Sequence, residues 1–201
     1  MINCLKLIVF ILLVQVSTVC ANVTGENAEA HLWKGISEGR YFVIMRHAIA
    51  PGIGDPEEFS LYSCKTQRNL SEIGVQQARR IGERFRANGV MSAEIYSSQW
   101  CRCRDTAKYL DLGTVNDLVV LNSFFRDFAL RDSRAEGLLN WLRNYSQSQA
   151  TGHAISKPLV LVTHQVNISA LLGVGTASGE MVVFKLDDEG NPEVTGSIFT
   201  Q

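Results

Sequence analysis

Val43-Ile44-Met45-Arg46-His47-Ala48-Ile49-Ala50-Pro51-Gly52 (VIMRHAIAPG) starts as the tail of an apolar run and then sets an arginine and a histidine side by side. The run Tyr41–Met45 is apolar and β-branched, with a glycine just ahead of it, and reads as a buried strand. A later run, Leu159-Val160-Leu161-Val162-Thr163, is the most strand-like in the chain, and it too stops at a histidine, His164. Two strong strands that end in imidazoles suggest a sheet whose carboxyl edge carries chemistry.

The segments between them alternate in character. Ser71 is a good N-cap, and Ile73, Ala78, Ile81 and Phe85 follow at near-helical spacing until Gly89. Glu94–Ser97 reads as a short strand, Arg102–Leu110 as a helix, Val119–Leu121 as a brief strand and Glu136–Tyr145 as a third helix. After the second strong strand come a helix over Val166–Leu172, a strand over Met181–Leu186 and a last strand near Thr195–Phe199. Strands alternating with helices predict an α/β fold: a single three-layer domain with a mostly parallel central sheet and helices on both faces. Ala48–Arg68, with two prolines, two glycines and the acids Asp55, Glu57 and Glu58, reads as a long loop, a length that usually carries function.

The chain has 201 residues, 46% hydrophobic and 19% charged, with a formal net charge of -1. That balance, with no basic stripe, argues against nucleic-acid binding. Residues 1–21 carry one early lysine, an apolar stretch from Leu7 to Val16, and a small residue at Ala21 before the polar Asn22. This is the layout of a cleavable secretory signal, too short in its core for a stable membrane span. The expected organisation is a signal at 1–21, a leader and first helical turn at 22–40 and the domain at 41–201, in a secreted or periplasmic protein. Cys4 and Cys20 fall in the signal, which leaves Cys64, Cys101 and Cys103. Three cysteines in an oxidising compartment predict one disulfide and one free thiol, and the Cys101-x-Cys103 spacing is too short for a zinc pair.

SSQWCRCRDTA, Ser97 to Ala107, also crosses from strand to helix, and it carries Arg102 and Arg104. Three such junctions then bring arginines and two histidines to one rim, a cluster that would repel itself without an anion. Guanidinium forks match phosphate oxygens, a helix N-terminus adds backbone donors, and neighbouring cations keep an imidazole unprotonated and nucleophilic. No metal or other cofactor is required, because the arginines offset the charge of a transferring phosphoryl group.

Four motifs in order carry a resemblance. Arg46-His47 after a strand, R-x-L-S-x-x-G in Arg68-Asn69-Leu70-Ser71-Glu72-Ile73-Gly74, S-x-x-x-R-x-x-x-T-A in Ser98–Ala107, and His164 after a late strand resemble the histidine phosphatase superfamily, which includes phosphoglycerate mutases. The resemblance implies that His47 is the phosphorylated nucleophile, with Arg46, Arg102 and His164 forming the phosphate pocket around it. Arg104 then falls to a surface role.

The pattern departs from that family in two places. Ala48 replaces the glycine of its Arg-His-Gly triplet, which requires a negative φ there. Gln165 stands where the acid phosphatase branch has an aspartate, and Ser123 stands near where the mutases have a glutamate. Asp127 is therefore the candidate general acid, with Asp55 or Glu57 of the long loop next. Cys64 lies in that loop, and Cys101 and Cys103 flank Arg102, so a bridge from Cys64 to one of the two would pin the loop over the pocket. The reading is an exported, metal-independent phosphatase acting on a small phosphorylated substrate, for example a cell-envelope sugar phosphate. A phosphohistidine or acyl-phosphate hydrolase and a non-catalytic phosphate-binding relative are the alternatives.

Overall fold

A computed structural model describes residues 27–151 and 157–200. The expected signal, its cleavage point after Ala21 and the first part of the leader lie outside the described residues. Residues 27–37 form a helix, α1, which places the end of the expected leader in regular structure. The strands are β1 (Phe42–Arg46), β2 (Glu94–Ser97), β3 (Val115–Asp117), β4 (Leu159–Thr163), β5 (Met181–Leu186) and β6 (Pro192–Ile198). The remaining helices are α2 (Glu72–Ala87), α3 (Cys101–Leu110), α4 (Arg131–Thr151) and α5 (Gln165–Leu172).

These strands form one sheet in the order β3-β2-β4-β1-β5-β6. The block β3-β2-β4-β1 is parallel, and β5 and β6 extend it antiparallel from β1. Successive side chains of a strand point to opposite faces, and here each face meets helices. Val43, Met45, Val160 and Val162 join Trp33, Ile36, Ile81, Phe85 and Leu110, the inward residues of α1, α2 and α3. Ile44, Leu159, Leu161 and Phe184 join Leu138, Leu142 and Ile168 of α4 and α5 on the other side. Leu159–Leu161 are buried on both faces for this reason, which gives the continuous apolar run of a central strand.

Two assignments are corrected. Val119–Leu121 is a 3-10 turn, and the third strand lies earlier, at Val115–Asp117. β3 pairs only with β2, so as an edge strand with two exposed residues it needs no apolar signature, while the apolar triplet after it uses Leu121 to cover the core. The helix expected over Glu136–Tyr145 extends to Arg131–Thr151.

Candidate active site

The parallel block brings three strand ends together. His47 N–H donates to the Thr163 carbonyl at 3.0 Å, and Ser98 N–H donates to the Val162 carbonyl at 2.9 Å. Hence Arg46-His47 leaves β1, His164 leaves β4 and Ser98 leaves β2 along one edge, with Arg102 following in the first turn of α3. The imidazoles of His47 and His164 lie edge to face, their centroids 5.6 Å apart.

The motif residues hold the turn after β1. Ala48 N–H donates to Thr106 Oγ1 at 2.9 Å, and Ile49 N–H donates to Gln77 Oε1 at 3.0 Å. Gly74 packs directly on Ile49, since a Cβ there would stand 2.0 Å from the Ile49 carbonyl oxygen. Ser71 caps α2 by accepting from Gly74 N–H at 3.1 Å. Among the described residues only Asp111 has a positive φ without being glycine, so Ala48 fits its turn unstrained.

His47 is buried, and its ring has a defined polarity. Its Nδ1 lies 2.8 Å from the Ala48 carbonyl, which can only accept, so Nδ1 carries the proton. Arg102 Nε–H donates to Nε2 at 3.2 Å, which requires the lone pair to be on Nε2. Burial first, and then the charge of Arg102, lowers the His47 pKa to about 3. The ring is thus neutral at ordinary pH, with its unprotonated Nε2 on the pocket side.

His164 is set by the complementary chain. Arg102 Nη2 lies 3.5 Å from its Nδ1, and its Nε2 lies 2.9 Å from Ser98 Oγ. Because a guanidinium only donates, Nδ1 accepts, Nε2–H donates to Ser98, and the Ser98 hydroxyl donates on to Asn122 Oδ1 at 3.3 Å. Burial, followed by the charges of His47 and Arg102, holds His164 well below the ordinary imidazole range. Cys103 Sγ sits 3.4 Å from His164 Nε2, and burial pushes this thiol up to about 12, so it acts as packing.

Arg102 is the hub. Its Nη1 donates to Asp55 Oδ1 at 2.6 Å and to the Arg68 carbonyl at 3.3 Å, and its Nη2 donates to Asp55 Oδ2 at 3.2 Å. With the two histidines, all five of its N–H bonds have partners. The Asp55 and Arg102 side chains are 6% and 4% exposed. Asp55 also accepts from Arg68 N–H and Trp100 Nε1–H, both at 3.1 Å. Burial alone would raise this carboxyl, but the bonds and charge of Arg102, helped by Arg68 N–H and Trp100, hold it below the ordinary carboxylate range. Of the loop acids considered as proton donors, Asp55 is therefore a fixed anion, and Glu57 is exposed and does not line the pocket.

Arg46 donates to Gln165 Oε1 at 3.1 Å and to the Thr176 carbonyl at 3.0 Å, so Gln165 orients an arginine where another branch keeps an acid. Arg68 donates through Nε to the Gly54 carbonyl at 2.7 Å and through Nη1 to the Ala50 carbonyl. It lines the pocket beside Arg46, His47, Arg102 and His164. Sequence reasoning used Arg68 only as part of a motif and missed it as a pocket cation; the R-x-L-S spacing was the available signal. Asn69 instead holds the Cys64 carbonyl at 2.6 Å, and Arg104 pairs with Asp117 on the surface. Asp127 lies at the pocket mouth, exposed, accepting from Ala129 N–H of its own turn at 3.2 Å.

The loop is tied to this site. Of the two partners open to Cys64, the structure joins it to Cys101, immediately before Arg102, and leaves Cys103 free and buried. The pocket has a volume of about 650 Å³.

A family model described as the histidine phosphatase superfamily (branch 1) matches residues 42–126, which span the His47 turn, the Arg68 motif and the Arg102 helix. Over that segment the chain is similar to the superfamily. His164 lies beyond the matched segment, and the sheet brings its ring beside that of His47. No curated protein matches the chain. A variant phosphoserine phosphatase from Entamoeba histolytica, bound to phosphoserine, shares the fold with a TM-score of 0.56 and 15% identity, covering 80% of this chain and 98% of its own. The protein histidine phosphatase SixA, with tungstate, gives 0.53 and 15%, with coverage of 79% and 96%. Mycobacterial glucosyl-3-phosphoglycerate phosphatase gives 0.55 and 17%, with coverage of 78% and 97%. At these identities the likeness is one of fold.

Proposed function

We propose that this histidine phosphatase hydrolyses small phosphomonoesters through a phosphohistidine on His47. The observation that carries the reading is the His47 tautomer: Nδ1–H is committed to the Ala48 carbonyl, leaving the Nε2 lone pair on the pocket side among arginines. The Nε2 pair forms a bond to phosphorus while the ester P–O bond breaks, and the departing oxygen takes a proton from solvent or an acid. Water then attacks the phosphohistidine, releasing inorganic phosphate and regenerating the neutral ring. Splitting one displacement into two in this way is the advantage of a covalent intermediate.

Arg46, Arg68 and Arg102 supply the positive charge that a metal would otherwise supply to the transferring group. His164, held by Ser98, faces His47 across the pocket and belongs to the same phosphate seat. Asp127 is the remaining carboxylate candidate for an acid, but it sits exposed at the mouth and accepts from Ala129 N–H, so the leaving oxygen has little help from it. The signal-like residues 1–21 support an exported protein working outside the cytoplasm on a small phosphorylated substrate. Among the described residues no helix is long and apolar enough to cross a membrane.

The test uses purified protein beginning near residue 22, acetyl phosphate and an aryl phosphate, with and without chelator. Turnover is expected to persist in chelator and to fall by at least about a hundredfold in His47→Ala. A rapid quench should trap acid-labile phosphate on the wild-type protein alone. Undiminished turnover by His47→Ala would remove the nucleophile assignment, and binding without turnover by the wild type would favour the non-catalytic alternative.

A further inference from the structure

Away from its phosphate end, the pocket is walled with carbon. The long loop contributes Phe59, the start of α3 contributes Trp100, and the segment before α4 contributes Phe124, Phe125 and Phe128. Phe59 stacks on Trp100 with centroids 5.1 Å and planes 20° apart. Phe128 meets Phe124 at 6.1 Å and Phe125 at 6.0 Å. At the mouth, Ile53, Phe128 and Phe125 are 91%, 61% and 44% exposed. Clustered apolar side chains held open to water around a concave site mark a place that takes an apolar group.

Polar groups on that wall already have partners, and Arg131, which also lines the pocket, pairs with Asp132 at 3.6 Å. Arg126 donates to the Pro56 carbonyl at 3.3 Å and lies over the Phe59 ring at 5.8 Å. Ser123 Oγ accepts from Phe125 N–H, and Asp127 accepts from Ala129 N–H. A polyol would lose water at its hydroxyls against these faces and regain few hydrogen bonds. An aromatic ring would gain both stacked and edge contacts.

A second observation concerns the leaving oxygen. Among the described residues two carboxylates line the pocket: Asp55, locked as an anion on Arg102, and Asp127, at the exposed mouth. An alkoxide leaves poorly without a proton, whereas a phenol ionises near pH ~10 and leaves with far less help. The wall and the acid inventory point the same way.

We infer that the substrate is an aryl phosphomonoester, with its phosphate on the arginines and its ring against Phe59, Trp100 and the Phe124–Phe128 cluster. This rests on the phosphatase reading, so recognition must be measured apart from turnover. Phosphonates bind without reacting: naphthylmethylphosphonate, methylphosphonate and a hexose 6-phosphonate are compared as competitive inhibitors of acetyl phosphate hydrolysis. The naphthyl compound is expected to bind roughly tenfold or more tightly than methylphosphonate, and the hexose compound no better than methylphosphonate. In the double variant Phe125→Ser, Phe128→Ser, the naphthyl-to-methyl ratio should fall toward one.

Equal inhibition by the naphthyl and methyl compounds, preference for the hexose phosphonate, or an unchanged ratio in the double variant would each overturn the inference. Because acetyl phosphate is still turned over in those cases, the phosphatase reading would stand. Absence of turnover on both acetyl phosphate and naphthyl phosphate would instead remove the phosphatase reading and the inference with it.

Discussion

Arg102 serves two masters at the residue scale: it binds the lone pair of His47 and the carboxylate of Asp55 at once. A phosphate dianion entering the seat competes with Asp55 for that guanidinium. Asp55→Asn keeps the shape and one acceptor but deletes the rival charge. Orthophosphate should then inhibit aryl phosphate hydrolysis about five- to tenfold more tightly, equivalent to roughly 1–1.4 kcal/mol. An unchanged or weaker inhibition constant would mean that Asp55 does not compete. Asp55→Ala is the harsher change, because it leaves a buried guanidinium unpaired, at a cost of about 3–5 kcal/mol. The placing of Arg46, His47, Arg102 and His164 along one edge was legible in the sequence because each lies at or soon after a strand end, and strand ends are local signals. The Asp55–Arg102 pair was not, since it spans 47 residues and depends on how a loop returns.

That loop is the element on which the site turns. Residues 48–71 have almost no regular structure of their own, only a 3-10 turn at Cys64–Thr66, so their shape comes from contacts with other elements. Arg68 holds the Gly54 carbonyl, Gln67 Oε1 accepts from Cys101 N–H at 2.9 Å, and Cys64 is bonded to Cys101. Closing a segment of 37 residues removes unfolded-chain entropy worth about 4 kcal/mol in the chain-entropy account. Cys64→Ser should lower stability to urea by up to that amount, and reductant should lower the wild type but not the variant. If reductant has no effect on the wild type, the bridge does not contribute. The same loop explains what sequence patterns miss. β4 and β5 were legible to their ends because burial and period coincide there, and α2 because Ser71 caps it. β3 was misplaced because an edge strand that buries little, Val115–Asp117, lacks the apolar signal that the neighbouring turn Val119–Leu121 happens to carry.

For the whole molecule, function and stability meet at the carboxyl edge of the sheet, where two neutral imidazoles are built into the packed domain. His47 has its pKa lowered from 6.5 to about 3, and His164 is lowered in the same direction. An imidazole in the unfolded chain takes up a proton as pH falls through about 6.5, while the folded one does not. The unfolded state therefore binds more protons in that window, and folding stability must fall with pH. For His47 the contribution is complete above about pH 6.5 and declines down to about pH 3. Asp55, held below its ordinary value, adds a second loss that begins below about pH 4 as the unfolded carboxyl is protonated. Acid sensitivity should thus start well above the carboxylate range, and urea unfolding at pH 7.5, 6, 5 and 4 measures it directly. His47→Asn, which cannot titrate, should flatten the slope between pH 6.5 and 4 while leaving the loss below pH 4. A wild-type profile flat from pH 7.5 to 4, or a variant as steep as the wild type, would show that His47 is not held neutral. The nucleophile would then be a protonated ring at pH 5, and its lone pair could not be the group that attacks phosphorus there.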